Sequence, residues 1–429
     1  MKTNNTKRIL FVGYNFSPEL TGIGKYSGEM MHWLAEKGHE CTVLTSYPYY
    51  PYWKIQKPYR KTRFWYKKEV TNFKSGGKLR VIRCPMYVPT KPSGMKRMLL
   101  DCTFSLSAFL VSIPLLFCKK YSRVITVAPS FQIGLLGVLY KKMKGAMHIH
   151  HIQDMQIEAA QDLGMIKSPK LLKALYAVEQ YIFKNTDIIS SISDGMMERI
   201  ERKALKPISF FPNWTETKNF FPIEDNATLK KKFGFKSSDY IVLYSGGIGE
   251  KQGLDAILTS AKQLNSNKNL HYIICGTGPY KEVLKETAKE MNLKNVHFMP
   301  LQPKDCFNKF LNMADLHLVI QKEKASDLVM PSKLTTILAV GGLSLITANP
   351  NSSLHRVVSK HGMGILVAPE NQEALNTGIL IGLGELNNQD IKRAAREYAE
   401  KYLAIDTVMH NFNKKLTVEQ NSRVLQFVD

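Results

Sequence analysis

The sequence predicts an α/β protein with two doubly wound domains, each a parallel sheet covered by helices. Apolar runs of strand length alternate with helical patterns over most of the 429 residues, and such alternation is typical of this class. A glycine-rich strand–turn–helix pattern also occurs twice, at 8–38 and at 240–261. Each half therefore contains the beginning of its own α/β domain.

A polar, proline-containing segment separates the two halves. Phe210–Phe221 has the sequence FFPNWTETKNFF and is followed by Pro222, a composition typical of an inter-domain linker. We therefore predict one domain at 1–212 and a second at 213–400. The remaining segment, 401–429, is predicted to be helical and to pack back on the first domain.

The composition is that of a globular protein with a strongly basic surface. Hydrophobic residues make up 44% and charged residues 22% of the chain, which favours sizeable cores over disorder. The net charge of +23 favours an acidic partner such as nucleic acid, anionic lipid or a phosphorylated small molecule. Because no block of five Lys or Arg residues and no nucleic-acid-reading motif is present, nucleic acid is not expected.

The cysteines and the N-terminus predict an intracellular protein. None of the six cysteines forms a CxxC pair or a Cys/His metal pattern, so reduced thiols of a cytosolic protein are expected. The apolar run after the basic N-terminus, Ile9–Val12, is too short for a signal peptide. The chain is therefore expected to stay inside the cell.

The first half begins with a predicted strand, a glycine-containing loop and a helix. Arg8–Val12 is the strand, Tyr14–Gly24 the loop, and a helix from Lys25 to Gly38 carries its apolar residues on one face. The run YPYYPY at Tyr47–Tyr52 predicts a rigid aromatic loop that fills a gap or stacks on a sugar. Further strands are predicted at Cys41–Thr45, Leu79–Arg83, Arg123–Val127, His148–Ile152 and Ile188–Ser191.

The second half begins with a predicted anion-binding turn in Tyr240–Ala261. Gly246, Gly247 and Gly249 let the backbone approach a ligand, and the following helix start offers unpaired N–H groups to a phosphate. A strand-to-helix turn without a ligand is the alternative. Strands are predicted at Tyr240–Tyr244, His271–Cys275, Val296–Met299, Leu316–Ile320, Leu343–Thr347 and Ile365–Val367, and helices at Gln252–Leu264, Tyr280–Met291, Lys304–Met313, Lys333–Val340, Gln372–Leu383 and Ile391–Glu419.

The apolar segment Met98–Cys118 is about as long as a membrane span. Asp101, several hydroxyl residues and Pro114 argue against a span, which would also cut the alternation of strands and helices. We predict a helix that is partly core and partly an apolar, basic-edged surface able to lie at a bilayer interface. A wholly buried helix is the alternative.

Two enzyme classes lack their sequence signatures. Gly22-Ile-Gly24 is followed by Lys25, and the strand at Cys41–Thr45 ends without an acidic residue, so the dinucleotide-binding fingerprint is absent. The chain also has no Asp-x-Asp triplet, which argues against metal-dependent sugar transfer. Charge on a leaving phosphate would then be stabilised by helix dipoles and lysines.

Five motifs resemble those of a known family. They are PELTGIGKYSGEM at 18–30, HIQD at 151–154, FFPNW at 210–214, YSGGIGEKQGL at 244–254 and PSKLTTILAVGG at 331–342. In this order they resemble bacterial glycosyltransferases of family 4, most closely the colanic-acid type of exopolysaccharide transferase. The resemblance implies the GT-B fold, two Rossmann-like domains facing across a cleft.

The resemblance also implies the reaction and its partners. The family transfers a sugar from a nucleotide diphosphate sugar, GDP- or UDP-linked, with retention of configuration and without a metal or other cofactor. The acceptor implied is a polyprenyl-diphosphate-linked oligosaccharide, so we expect a peripheral protein on the anionic inner face of the cytoplasmic membrane. The first domain would bind the acceptor and the second the donor.

The donor residues implied by the resemblance lie in two glycine loops and around PSK. Those loops, Gly22–Gly24 and Gly246–Gly253, would enclose the diphosphate. The full set carried over is Gly22, Gly24, Gly246, Gly247, Lys251, Gln252, Gly276, Gly278, Gln321, Lys322, Ser332 and Lys333.

Four positions depart from the family pattern. Gly247 and Gln252 stand where the family usually has an Arg and a Lys, so Lys251, Lys322 and Lys333 are expected to share the neutralisation of phosphate. Leu328 and Thr336 stand where the family has two glutamates, so the usual ribose-binding carboxylate is missing.

Three polar residues of the first half are candidates for acceptor chemistry. Asp154 and His151 lie at the end of a predicted strand and would orient the acceptor hydroxyl, while Glu19 either touches the acceptor or fixes its own loop. His151 is equally explained as a core histidine, because His148 and His150 lie in the same run. Asp154 is alternatively the cap of the following helix.

Two other functions remain open at this point. A nucleotide-sugar epimerase or hydrolase of the same fold would turn over a donor without any acceptor. A basic nucleic-acid-binding protein would hold random DNA at physiological salt.

Overall fold

The computed structural model describes residues 6–118, 120–162, 166, 168–323 and 331–426, with side chains at all of these except 159, 160, 162, 251 and 418–426. The chain divides into two compact units, Met1–Phe211 with Val418–Asp429, and Pro212–Thr417. The division falls at the beginning of the Phe210–Phe221 segment. Of the predicted C-terminal segment, 401–417 groups with the second unit.

The first unit is built on an eight-stranded sheet of order β3-β4-β2-β1-β5-β6-β7-β8. All neighbours are parallel except β3 and β4. Its elements are β1 (Arg8–Val12), α1 (Gly22–Glu36), β2 (Glu40–Ser46), β3 (Lys67–Asn72), β4 (Lys78–Cys84), α2 (Gly94–Leu116), β5 (Arg123–Ala128), α3 (Gly134–Lys144), β6 (Met147–Ile152), α4 (Gln156–Asp162), α5 (Pro169–Asn185), β7 (Ile188–Ser191), α6 (Asp194–Ala204) and β8 (Ser209–Phe210).

The central strands are rich in apolar residues, but β5 (RVITVA) and β6 (MHIHHI) also contain buried polar side chains. Every residue of β5 and β6 is buried, as expected for parallel strands covered by helices on both faces. The sequence did not predict β3 or β8. KKEVTN in β3 contains one apolar residue and is largely exposed, which is typical of a sheet edge, and β8 has only two residues.

Helix α2 is half core and half surface. Leu100, Phe104 and Ala108 belong to a hydrophobic cluster with β1 and β2 residues such as Leu10 and Leu44, while Leu106 and Leu110 are exposed. The wholly buried alternative is therefore wrong. Among the described helices, α2 is the one whose length and hydropathy would suffice to cross a bilayer, and 39% of its most apolar window is buried.

The second unit contains a six-stranded parallel sheet of order β11-β10-β9-β12-β13-β14. The structure divides the helix predicted at Ile391–Glu419 into α14, a π-helical turn at Ala399–Leu403 and α15. The elements are α7 (Asn226–Lys232), β9 (Tyr240–Gly247), α8 (Asp255–Gln263), β10 (Leu270–Thr277), α9 (Lys281–Glu290), β11 (Val296–Met299), α10 (Lys304–Asn312), β12 (Leu316–Val319), α11 (Ser332–Ala339), β13 (Ser344–Thr347), α12 (Ser353–His361), β14 (Ile365–Val367), α13 (Gln372–Gly384), α14 (Gln389–Tyr398) and α15 (Ile405–Gln426).

Candidate active site

The carboxyl ends of β9 and β10 lie so close together that only residues without a Cβ atom fit between them. Gly246 pairs with Gly276 in the sheet, and a Cβ on Gly276 would lie 1.9 Å from the Gly246 carbonyl oxygen. A Cβ on Gly278 would lie 1.9 Å from the Ile248 carbonyl oxygen. These glycines are therefore required by backbone packing, which brings the two strand ends together at the ligand-binding edge of a parallel sheet.

Lys333, in the first turn of α11, lies against this glycine turn. A Cβ on Gly246 would stand 2.9 Å from Lys333 Cε, and Lys333 Nζ is 3.6 Å from the centroid of the Tyr244 ring. Burial lowers the pKa of Lys333 to about 7. Among the described residues, no carboxylate forms an ion pair with it, so its main electrostatic compensation is the aromatic ring.

Gln321 lies just beyond β12, the strand that pairs with β9. Its backbone N–H donates to Thr347 Oγ1 at 2.9 Å, and the Thr347 hydroxyl donates to the Gln321 carbonyl at 3.0 Å. Its side-chain Nε2 is buried and has no hydrogen-bond partner among the described residues. A buried donor without an acceptor is unfavourable, so this edge of the sheet has a polar group that a ligand would satisfy.

The other residues predicted to bind the sugar donor lie in different surroundings. Gln252 closes its own turn, since its Oε1 accepts from the Gly249 N–H at 3.0 Å. Lys322 lies beside the turn, because a Cβ on Gly253 would be 3.3 Å from Lys322 Cγ. Ser332 is exposed. The side chain of Lys251 and the whole of Leu328 lie outside the described residues.

In the first unit, Gly22 and Gly24 form the first turn of α1, earlier than the helix start predicted at Lys25. A Cβ on Gly24 would lie 2.3 Å from Glu19 Oε2. The Glu19 carboxylate is buried and accepts from the backbone N–H groups of Tyr49 and Tyr50, at 3.1 and 2.9 Å, and from Asn15 Nδ2 at 2.9 Å. Glu19 therefore ties the aromatic loop to the beginning of α1.

Burial raises the pKa of Glu19 to about 7, although its three hydrogen bonds lower it. Of the two roles predicted for this residue, these contacts support the one of fixing its loop. A contact with an acceptor stays a prediction.

His151 lies inside the first sheet. Its Nδ1 is hydrogen-bonded to Ser190 Oγ at 3.0 Å, and its ring centroid is 5.0 Å from that of Phe211. Burial lowers the pKa of His151 to about 3, so the imidazole is neutral at physiological pH. These are the contacts of a packed histidine, with a serine hydroxyl as its hydrogen-bond partner. Asp154, two residues beyond β6, is exposed.

Asp101 is a buried polar residue of the first unit that was not among the predicted site residues. It lies on the inner side of α2 and is 2% exposed, and Gln156 Nε2 donates to its Oδ2. Burial raises the pKa of Asp101 to about 7, and Oδ1 makes no hydrogen bond of standard geometry with a described residue. The sequence signal was available, since an aspartate within an apolar helix is unusual.

Metal ligands are not gathered anywhere among the described side chains. No group of three or more His, Cys, Asp or Glu residues in those ranges has the spacing to hold an ion. The metal-free reaction stays a prediction.

Two family models match the chain in succession. The model for a glycosyl transferase 4-like domain matches residues 21–214, and the model for glycosyl transferases group 1 matches residues 225–401. With two parallel-sheet units of Rossmann-like layout, these matches define a glycosyltransferase of the GT-B fold. The predictions of fold and of a transferase enzyme are confirmed.

One relative shows more closely which kind of glycosyltransferase the chain resembles. The chain is 39% identical over 415 residues to WcaI of Escherichia coli K12, described as a colanic acid biosynthesis glycosyl transferase, and the match covers 94% of this chain and 98% of that protein. The chain belongs to this family of glycosyltransferases, as the five motifs predicted.

Solved structures of similar fold extend over nearly the whole chain. Sucrose-phosphate synthase of Thermosynechococcus elongatus has a TM-score of 0.72 at 17% identity, covering 99% of this chain and 100% of that one. HepE of Anabaena, in complex with UDP and glucose, has a TM-score of 0.66 at 11% identity, with coverage of 96% and 100%. WaaG, involved in lipopolysaccharide biosynthesis, has a TM-score of 0.65 at 15% identity, with coverage of 94% and 98%.

Proposed function

We propose that this glycosyltransferase moves a sugar from a GDP- or UDP-linked donor to a polyprenyl-diphosphate-linked oligosaccharide during the synthesis of an exopolysaccharide, capsule or O-antigen. The description of the E. coli relative, which names colanic acid biosynthesis, supports this product class. The structures of HepE in complex with UDP and glucose and with UDP-glucose support a nucleotide donor. A lipid-linked acceptor would hold the enzyme at the inner face of the cytoplasmic membrane.

Lys333 is the observation that carries the proposal. Its ammonium is largely desolvated beside Gly246, at the beginning of α11, and no described carboxylate pairs with it. A diphosphate placed there would restore the charged form of the lysine and gain from the helix N-terminus. Gln321 Nε2 would supply a further donor at the same sheet edge.

These donors match the charge change of sugar transfer. As the bond between the anomeric carbon and the phosphate oxygen breaks, both electrons stay with the leaving nucleotide, and fixed cations and N–H groups stabilise the growing negative charge. The acceptor oxygen bonds to the anomeric carbon on the same face and passes its proton to the leaving phosphate. This retaining reaction requires no protein base, which agrees with the lowered pKa of the packed His151, because an imidazole with a pKa of about 3 is a weak proton acceptor.

Asp154 is the residue we propose for orienting the acceptor. It is exposed just beyond β6, whereas His151 and Glu19 are buried and hydrogen-bonded within their own unit. A carboxylate at this position would accept a hydrogen bond from an acceptor hydroxyl and hold its oxygen towards the donor.

The test begins with ligand binding. Thermal unfolding is followed with UDP, GDP, ADP and CMP, each compared with its nucleoside, since a ligand that binds only the folded state raises the melting temperature. One diphosphate should stabilise the protein and its nucleoside should not.

Turnover is then measured with the matching nucleotide sugars and a polyprenyl-diphosphate acceptor, with and without EDTA. The expected product keeps the anomeric configuration of the donor, and its yield is unaffected by EDTA. Donor consumption that is equally fast without acceptor would replace the proposal by a hydrolase or epimerase.

A further inference from the structure

The outer side of α2 carries an apolar stripe along the whole helix. Its members fall within an arc of about 100° when successive residues are turned by 100°, and the helix is roughly 35 Å long at 1.5 Å per residue. Leu106 is 62% and Phe117 81% exposed. We call this set the outer stripe: Met95, Leu99, Leu106, Phe109, Leu110, Ile113 and Phe117.

A second exposed element lies beside the middle of the stripe. The loop before β3, which we take together with the first two residues of that strand as 59–68, has the sequence YRKTRFWYKK. It contains five basic residues and no acidic one, and its Phe64 and Trp65 are 70% and 75% exposed. The Tyr66 hydroxyl donates to the Ser107 carbonyl at 3.1 Å, and the Ser107 hydroxyl donates to Tyr66 at 3.0 Å. The loop and α2 therefore form one surface, which we call the docking face.

Basic residues border the apolar part of the docking face, both in the loop and at the two ends of α2. Arg63 stacks on Phe64, with its guanidinium carbon 4.6 Å from the ring centroid, so charge and apolar surface are presented together. Lys96 and Arg97 are exposed at the beginning of α2 and Lys120 just beyond its end. Lys67 of the loop also pairs with Glu69, but the face as a whole stays strongly positive.

We propose that the docking face binds an anionic bilayer, with α2 parallel to the membrane plane and the Phe64–Trp65 tip at headgroup depth. Tryptophan is enriched at that depth, and a basic face with a long apolar stripe is the pattern of helices that lie in the interface. This inference deepens the proposed function, because a lipid-linked acceptor resides in the same bilayer.

Two observations exclude other arrangements of the face. Helix α2 does not cross the membrane, because Leu100, Phe104 and Ala108 on its inner side are part of the first unit's core. A second copy of the chain is a poor occupant, because a two-fold contact would set the basic loop and the basic ends of α2 against their own copies. An anionic lipid surface satisfies both the charge and the apolar area.

The experiment is flotation of the full-length protein with vesicles that contain no acceptor. Vesicles of phosphatidylcholine with 30% phosphatidylglycerol should carry the protein at low salt, and binding should fall at 0.5 M NaCl because exposed charges are then screened. The variants are F64S with W65S, and L106S with L110S, and each pair should weaken binding at least tenfold. The matched control is L380S with I381S, since these residues of α13 are also about half exposed and should leave binding unchanged.

Three outcomes would overturn the inference. The first is no flotation of the parent protein at low salt. The second is equal loss of flotation in the control pair, and the third is concentration-dependent dimerisation that the docking-face variants abolish while vesicle binding persists. Melting temperatures of all variants show that each is folded. Since the vesicles contain no acceptor, nucleotide binding by the same samples reports separately on the proposed function.

Discussion

Glu19 in the first unit and Lys333 in the second differ in how their charge is compensated. Glu19 is buried and Lys333 is half-buried, each near the carboxyl edge of a parallel sheet, and burial brings the pKa of each to about 7. Glu19 accepts three hydrogen bonds, whereas Lys333 contacts an aromatic ring and pairs with no described carboxylate. The first edge uses its charge to hold a loop, whereas the charge at the second has no described carboxylate partner, as the proposed diphosphate site requires.

The largest expected effect is that of Lys333→Met. A methionine fills the same space over Tyr244 but supplies no cation. Affinity for a nucleotide diphosphate should fall by about a hundredfold, since a hydrogen bond to a charged group contributes about 1.5–3 kcal/mol. Affinity for the nucleoside should not change. Isothermal titration measures both, with the exposed Lys285→Met as control, and equal losses for nucleotide and nucleoside would contradict the assignment.

The same substitution should change how stability depends on pH. The pKa of Lys333 is about 7 in the folded protein and 10.5 in the reference state, so the unfolded chain binds more protons between these values. The parent therefore gains stability as pH rises through this window. Lys333→Met should lose that gain, as measured by denaturant unfolding at pH 7 and 9.

Glu19→Ala should act on stability. It removes the acceptor for the N–H groups of Tyr49 and Tyr50, and a buried donor left without a partner costs about 1–3 kcal/mol. We expect a loss of about 2 kcal/mol, seen as a melting temperature lowered by roughly 4–8 °C. Glu36→Ala, at the exposed end of α1, is the control. An unchanged melting temperature combined with a loss of acceptor binding would give Glu19 a direct role in binding.

Gly246→Ala tests the contact between the turn and Lys333. The added Cβ would stand 2.9 Å from Lys333 Cε, so the side chain has to move and diphosphate affinity should fall about tenfold, or 1.4 kcal/mol. This loss is smaller than that of Lys333→Met because the ammonium is retained. Gly384→Ala, whose Cβ would meet nothing within 4 Å, is the matched control, and a loss equal to that of Lys333→Met would argue against displacement alone.

Asp101→Asn should act through the pH dependence of stability. Burial raises the pKa of this carboxyl from 3.8 to about 7, so the folded state binds more protons within that window, and stability is lost as pH rises through it. The amide carries no charge and should raise the melting temperature by a few degrees at pH 8 and hardly at pH 4. The exposed Asp390→Asn is the control. A shift of equal size at both pH values would show a packing effect instead.

The sequence predicted the elements that depend on local pattern. Strands such as β1, β7 and β11 were predicted with their exact limits, because each is a segment of strand length in which apolar residues cluster, as in RILFV of β1. Strand β3 was missed because KKEVTN lacks such a pattern and forms by pairing with β4. Edge strands of this kind are specified by their neighbours rather than by their own composition.

The residue types of the candidate site could be predicted from the sequence, but the contacts of those residues could not. Lys333 was named from its motif, but its position over Tyr244 depends on the packing of α11 against β9, 89 positions apart in the chain. Likewise, Glu19 receives two of its three hydrogen bonds from a loop about 30 residues further on. Whether a charge is compensated depends on tertiary contacts, and the spacing of residues along the chain does not reveal those contacts.

The buried inner side of α2 determines which treatments would extract the protein from a membrane. Asp101 is bonded to Gln156, and its apolar neighbours fill the core of the first unit, so the helix cannot be drawn into lipid without unfolding that unit. Only one side of the helix is available to the bilayer. The enzyme should accordingly be released from membrane fractions by concentrated salt or an alkaline wash, without detergent.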